Sequence, residues 1–165
     1  MLTLRQITLF GILAALTFGA KVAMSYLPNI EPVTLLLLVF GAAFGWRAVF
    51  IVYVYVLSEI LFYGIGTWNI NYLYIWLIPA ALGWGLRKMK HPTLWAVVSG
   101  LFGLLFGALC APVDLCIGGL GYAVSKWISG IPFDAAHCAG NFVLALLLFV
   151  PLRSLTENLY KKTNP

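Results

Sequence analysis

The segment Phe133–Leu152, FDAAHCAGNFVLALLLFVPL, decides the fold class because it is long and apolar enough to cross a bilayer. A hydrocarbon core of about 30 Å needs roughly 20 helical residues. The polar side chains Asp134, His137 and Asn141 lie in the first half of the segment, and Leu144–Phe149 has none. The sequence therefore predicts a membrane helix that carries polar groups near one end only.

The composition of the whole chain agrees with this interpretation. Of its 165 residues, 62% are hydrophobic and only 9% are charged, whereas an average soluble domain carries about 25% charged residues. A small domain cannot hide this much apolar surface from water. The composition excludes a soluble enzyme, a disordered tail and a nucleic-acid-binding domain. It predicts that residues 1–165 form a single integral membrane domain.

Clusters of glycine, proline, asparagine and charged residues divide the chain into six predicted membrane helices. They are Leu4–Met24, Val33–Phe44, Trp46–Tyr63, Asn71–Leu86, Pro92–Ala111 and Phe133–Leu152. At about 1.5 Å per residue the second helix is too short to span, unless it begins earlier or the bilayer is thinner there. The predicted fold is an all-α bundle of six transmembrane helices.

The basic residues predict the orientation of this bundle. With the N-terminus inside, only Lys21 and Lys126 of the ten lysines and arginines lie on the outer side, in agreement with the positive-inside rule. Both termini and the Arg87–His91 loop are then cytoplasmic. The loops Thr67–Asn69 and Gly118–Gly130 are expected outside.

Most other polar groups fall at the outer ends of the predicted helices. Ionisable groups inside a membrane are costly and usually functional. Asp134, His137 and Asn141, spaced i, i+3 and i+7, share one helical face and predict a ligand-binding face, although Asp134 alone would also suit a cap at the helix N-terminus. Glu59 is a second candidate, with an ion pair to Lys21 or Lys126 as the alternative. Asp114 is expected to bind ligand or simply to end the fifth helix.

Two further patterns predict contacts. Trp68, Tyr72 and Trp76 recur at i+4 and suit a planar heterocycle, or else they form an interfacial aromatic belt. Gly11, Ala15 and Gly19 form a small-residue stripe on the first helix that allows close helix approach, either to this chain's own helices or to a separate membrane subunit. No metal-binding or catalytic motif is found. The sequence does not decide whether Cys110 and Cys116 form a disulfide.

Three passages carry a resemblance to a known family. They are Tyr26-Leu-Pro-Asn-Ile-Glu-Pro-Val-Thr34, Tyr63-Gly-Ile-Gly66 and Gly130-Ile-Pro-Phe-Asp-Ala-Ala-His-Cys-Ala-Gly-Asn-Phe142. Together with the length, the six predicted spans and the basic inner loops, they make the chain resemble the substrate-binding (S) component of energy-coupling factor (ECF) transporters. The resemblance covers essentially the whole chain.

The resemblance implies a subunit of the bacterial cell membrane that captures a vitamin or vitamin-like ligand near the outer face. It implies three partner subunits, a membrane T component and two cytoplasmic ATPases, with Gly11, Ala15 and Gly19 in place of the family's AxxxA-like docking motif. It implies no catalytic residue, cofactor or bound metal. The alternatives are a solitary carrier or channel, and an intramembrane enzyme that uses Asp134 and His137.

The predicted pocket is mildly acidic, which favours a neutral or cationic nitrogen heterocycle as substrate. The candidate substrate-binding residues are Asn29, Glu31, Glu59, Tyr63, Trp68, Asn71, Tyr72, Trp76, Asp134, His137 and Asn141.

Overall fold

The computed structural model describes residues 2–27 and 29–163, and within them the chain is 86% helix and has no strand. The helices are α1 (Leu4–Ala23), α2 (Val33–Phe44), α3 (Ala48–Tyr63), α4 (Trp68–Ile75), α5 (Leu77–Gly85), α6 (Pro92–Leu104) and α7 (Phe106–Thr163). A short 3₁₀ turn, Gly45–Arg47, joins α2 to α3. The prediction of an all-helical protein is therefore confirmed.

Three stretches of the described chain are long and apolar enough to cross a membrane, namely Leu4–Ala23, Val33–Tyr63 and Pro92–Thr163. The last two contain breaks between helices. Large apolar side chains point outward along these stretches, and Leu61 and Leu147 are 77% and 65% exposed. So much exposed apolar surface is unusual for a soluble monomer. The architecture is compatible with a membrane protein.

Local sequence explains several helix ends. The hydroxyl of Thr3 accepts a hydrogen bond from the Gln6 backbone N–H, and the Gln6 side chain accepts one from the Thr3 N–H, which together cap α1. Gly45 ends α2 with a φ of 63°, a conformation that a residue with a side chain rarely adopts. Pro79 lacks the N–H that would bond to the carbonyl of residue 75, and the predicted fourth helix accordingly divides into α4 and α5 near Trp76.

The largest difference from the sequence prediction lies between the fifth and sixth predicted helices. The expected loop Gly118–Gly130 is helical in the structure, apart from Gly119 with a φ of 76°. The last helix therefore begins well before the predicted Phe133. Glycines within this region and the flanking Pro112 and Pro132 suggested a loop, but only Gly119 takes the left-handed conformation that interrupts the helix.

Small residues let α6 and α7 pack closely. A Cβ atom added at Gly103 would lie 2.8 Å from the backbone of His137, and one at Gly107 would lie 2.5 Å from the Asp134 carboxylate. Gly100 also faces Cys138, but a Cβ there would lie at an ordinary contact distance of 3.4 Å. Any larger side chain would push the helices apart. This contact fixes the polar half of α7 against the junction of α6 and α7.

Charged and polar side chains lie at two opposite ends of the bundle. We call one the cavity end; it contains Lys21, Glu31, Glu59 and the α6–α7 junction. The other, the basic end, is formed by Arg87, Lys88, Lys90 and Arg153. His137 and Arg153 belong to the same helix, about 24 Å apart at its usual rise. Between the ends the core is mostly apolar, with α2 buried at its centre through Leu35, Leu37, Leu38, Val39 and Phe40.

Candidate ligand-binding site

Two adjoining cavities open at the cavity end. The first, of about 400 Å³, is lined by Thr67, Trp68, Asn71, Tyr72, Phe106, Gly107, Cys110, Val113, Asp114, Ile117, Lys126, Trp127, Ser129, Gly130 and Phe133. The second, of about 260 Å³, is lined by Lys21, Met24, Ser25, Leu27, Asn29, Ile30, Glu31, Tyr72, Trp76, Phe106 and His137. Tyr72 and Phe106 belong to both walls, so the cavities are neighbours. Their sizes suit a small organic molecule.

Glu31 and His137 form the polar centre of the second cavity. His137 Nε2 lies 3.3 Å from Glu31 Oε1, and because a carboxylate accepts only, this nitrogen is the donor. The same carboxylate accepts hydrogen bonds from the backbone N–H groups of Val33, at 2.8 Å, and Thr34, at 3.3 Å. A negative group at the start of α2 is favoured by the helix dipole. Glu31 thus holds α2 and orients His137 together.

The segment before α2 is fixed by packing and by one unusual residue. Ile30 lies against Gly140 of α7, where an added Cβ would come within 3.2 Å of the Ile30 side chain. Asn29 has a φ of 56°, which asparagine tolerates better than most residues. This conformation brings Asn29 and Glu31 onto the wall of the second cavity.

Lys21 lies on the wall of the second cavity, and Glu59 lies behind it. Lys21 Nζ is 2.5 Å from Glu59 Oε2, and the Glu59 side chain is only 1% exposed. The ammonium also lies 5.5 Å from the ring centre of Tyr63 and 5.4 Å from that of Tyr72, which adds cation–π attraction. Glu59 thus forms an ion pair with Lys21, one of the two lysines that the sequence offered as its partner, and the cation presented to the cavity is Lys21.

The first cavity is bounded by α4 and by the two parts of α7 on either side of Gly119. Lys126 Nζ is 2.5 Å from Asp114 Oδ1 and joins those two parts. Trp68, Trp127 and Phe133 give the cavity an aromatic wall. Asp114 therefore does not end a helix, as one alternative expected; it lies inside α7 and anchors a lysine.

Asn71 is positioned in the first cavity by a tyrosine. Its side chain is buried, and its Oδ1 lies 3.0 Å from the Tyr74 hydroxyl, which is also 2.5 Å from the Leu109 carbonyl oxygen. These contacts tie α4 to the first turn of α7. The amide group of Asn71 is thus held in a fixed place on the cavity wall.

Neither Asp134 nor Asn141 lies on a cavity wall: Asp134 lies against the first turn of α7, and Asn141 lies against α6. The Asp134 carboxylate accepts from the Gly107 N–H at 3.1 and 3.2 Å. Because α7 continues on both sides of it, Asp134 does not cap a helix N-terminus. Asn141 is fully buried, and its Nδ2 lies 3.4 Å from the Ser99 carbonyl oxygen. Among these three face-sharing residues, only His137 lines a cavity.

The candidate residues therefore divide into two groups. The cavity walls contain Asn29, Glu31, Trp68, Asn71, Tyr72, Trp76 and His137. The structure places Glu59, Tyr63, Asp134 and Asn141 outside both walls. Sequence reasoning missed Phe106, which belongs to both walls, as well as Trp127 and Phe133. Trp127 was not a candidate because its segment, Gly118–Gly130, was predicted to be a loop outside the helix bundle.

The three cysteines Cys110, Cys116 and Cys138 are free. Residues 2–27 and 29–163 contain no group of three or more His, Cys, Asp or Glu side chains able to hold a metal ion. The chemistry that the cavities offer is hydrogen bonding, aromatic stacking and ion pairing.

The chain matches no protein family model, and neither a curated protein nor a solved structure matches it. The function must therefore be inferred from the residues that form the two cavities and from their position in the bundle.

Proposed function

We propose that the protein is the substrate-capture subunit of an ATP-driven micronutrient importer of the ECF type. The observation that carries the proposal is the pair of adjoining cavities at one end of an otherwise apolar bundle. Binding sites for small molecules combine apolar and aromatic walls with a few placed polar groups. Both cavities have this combination.

The charge distribution supports a particular placement in the membrane. In this proposal the chain crosses a bacterial cell membrane six times, with both termini cytoplasmic and the cavity end facing out. Arg87, Lys88, Lys90 and Arg153 gather at the opposite end, which suits the cytoplasmic side. Three stretches of the described chain are long and apolar enough to cross a membrane, which supports an integral membrane protein.

The apolar core between the ends favours capture over free passage. A carrier or channel that works alone needs polar groups along its whole route. The described core below the cavities is instead filled by apolar side chains such as Leu38, Phe40 and Ala145, which are 0–2% exposed. Release to the inside would then require a partner that changes the position or shape of the subunit.

The outer surface of α1 supports a docking role for the small-residue stripe. Ala15 and Gly19 are exposed, and a Cβ added at Gly11 or Gly19 would meet nothing within 4 Å. The stripe therefore stays accessible and is not buried against the described helices of this chain. We assign it to a membrane T component, which two cytoplasmic ATPases would drive.

The cavity residues indicate the class of ligand. Lys21 and Lys126 are each paired with a carboxylate, which leaves the Glu31–His137 pair and the aromatic walls to recognise ligand. A carboxylate beside an imidazole suits a donor group such as an amine or a ring N–H. The proposed ligand is a small, neutral or cationic nitrogen heterocycle of the vitamin type.

Ligand identification and uptake test the proposal together. Mass spectrometry of the purified full chain should find a retained heteroaromatic molecule, and cells should take it up only with the T component and ATPases present. Ala15→Leu should block uptake and leave binding unchanged, since a bulky side chain prevents close helix approach. Leu16→Ala, an exposed neighbour, is the matched control. Uptake of the ligand into liposomes by the chain alone would overturn the proposal in favour of a solitary carrier.

A further inference from the structure

A cleft at the basic end collects more positive charge than the protein itself balances. The cleft, of about 600 Å³, lies between the start of α6 and the part of α7 from Phe149 to Glu157. Four cationic side chains line it: Arg87, Lys88, Lys90 and Arg153. Its one carboxylate, Glu157, is already bound by Arg153 Nε at 2.7 Å. Lys88 and Lys90 are exposed and have no hydrogen-bond or ion-pair partner among the described residues.

The backbone around the cleft adds to its positive potential. The α6 helix begins at Pro92, between Lys90 and Trp95, and the preceding His91 makes no side-chain cap. The first N–H groups of a helix carry partial positive charge and favour anions. Arg153 Nη2 donates to the Arg87 carbonyl oxygen at 2.9 Å, so the loop after α5 is held against α7. The cations are therefore gathered by the fold and are not scattered over a mobile tail.

The wall of the cleft is apolar and continues along the outside of α7. Trp95 and Phe149 stack with ring centres 4.0 Å apart at its base. Val150, which is half exposed, lines the cleft. Leu146 and Val143 follow it at i−4 and i−7 on the same helical face, and both are exposed. An anionic group in the cleft would thus have an apolar track beside it.

We propose that this cleft binds the phosphate headgroup of an anionic phospholipid, with an acyl chain along Val150, Leu146 and Val143. The unbalanced cations provide charge complementarity for the phosphate, and the adjacent apolar face distinguishes a lipid from a free anion. Basic pockets at the cytoplasmic side of membrane helices are suited to acidic headgroups. The site is separate from the two cavities and does not depend on what they bind.

Native mass spectrometry of the purified full chain tests the lipid site. The probes are phosphatidylglycerol, phosphatidylcholine and inorganic phosphate, each added to the detergent-solubilised protein. Phosphatidylglycerol should bind, and Lys88→Gln with Lys90→Gln should weaken its binding about tenfold or more, at about 1 kcal/mol per removed cation. The control, Arg5→Gln with Lys162→Gln, removes the same charge outside the cleft and should retain binding within about twofold.

Several outcomes would overturn the assignment. If phosphatidylcholine bound as tightly as phosphatidylglycerol, the cleft would not distinguish lipids by headgroup charge. An equal loss in both double variants would show diffuse attraction instead of a site. Displacement of phosphatidylglycerol by millimolar inorganic phosphate would assign the cleft to a free anion. Unchanged lipid binding in Lys88→Gln with Lys90→Gln would remove the site altogether, and because both lysines are exposed and unpaired, misfolding would not confuse this result.

Discussion

The two ends of the bundle treat their charged side chains in opposite ways. At the cavity end, Lys21 and Lys126 are paired with Glu59 and Asp114, carboxylates that are 1% and 5% exposed. At the basic end, the only ion pair among the described residues is between Arg153 and Glu157, side chains that are 25% and 37% exposed.

This difference separates two uses of charge in one small protein. The pairs with buried carboxylates hold helical segments together and leave the charges on the cavity walls nearly balanced. Exposed, unbalanced cations create a surface potential and contribute little to the fold. Removing single charges at each end should therefore have very different effects, and the following changes measure that difference.

The largest effect is expected from Lys21→Met at the cavity end. The change leaves the Glu59 carboxylate buried without its partner, which should lower the free energy of unfolding by about 3 kcal/mol. Thermal unfolding in detergent measures the loss. The double variant Lys21→Met with Glu59→Leu should recover most of it. A single variant as stable as the native chain would show that the pair does not hold α1 to α3.

Gly103→Ala is expected to cost about 2 kcal/mol, because the added methyl group would lie 2.8 Å from the His137 backbone. Gly130→Ala is the matched control, since a Cβ there meets nothing within 4 Å. The control should leave stability unchanged or raise it slightly through helix propensity. Equal unfolding temperatures for the two variants would contradict the close contact of α6 with α7.

His137→Ala should weaken binding of the copurified ligand at least tenfold, about 1.4 kcal/mol. Its ring lines the second cavity beside Glu31. Asn141→Ala, one turn further along the same face, should change affinity by less than about twofold, since it lies outside both cavities. Isothermal titration calorimetry compares the two. Equal losses would place the ligand against the α6–α7 contact instead.

The smallest effect is expected from Glu157→Gln at the basic end. Its pair with Arg153 is partly exposed and spaced i, i+4, and such pairs contribute about 0.3–0.5 kcal/mol. The unfolding temperature should change little, in contrast to Lys21→Met. A loss comparable to that of Lys21→Met would mean that the basic end is as tightly built as the cavity end.

Helix content was predictable where local sequence decides it. The bounds of α2, Val33–Phe44, agree with the prediction because Pro32 precedes the apolar run and Gly45 ends it. The segment 118–130 was not predictable in the same way. Several glycines there suggested a loop, yet only one takes a left-handed φ, and the segment is held by the contact of Lys126 with Asp114. Because Asp114 and Lys126 lie on opposite sides of Gly119, the contact between them cannot be recognised from the local sequence.

The sequence indicated at which end of the bundle the candidate site lies, but not which side chains line it. The spacing of Asp134, His137 and Asn141 correctly indicates a shared face, but it does not say what that face meets. In the structure Gly103 of α6 and Gly107 in the first turn of α7 cover part of it. Likewise the sequence offered two lysines for Glu59, and only the packing of α1 on α3 selects Lys21.

The position of Trp76 gives the protein an optical signal of its own. The indole is 2% exposed, its Nε1 has no hydrogen-bond partner, and its ring lies within about 6 Å of Tyr55, Tyr72 and Phe106. An indole buried to this extent emits at short wavelength, and a molecule entering the second cavity would contact it, because Trp76 lies on that cavity's wall. Trp95, stacked on Phe149 at the far end, lies outside the second cavity and would not respond to a molecule entering it. In a variant that keeps Trp76 and replaces the other five tryptophans with phenylalanine, the emission would therefore report occupancy of the second cavity without any attached dye.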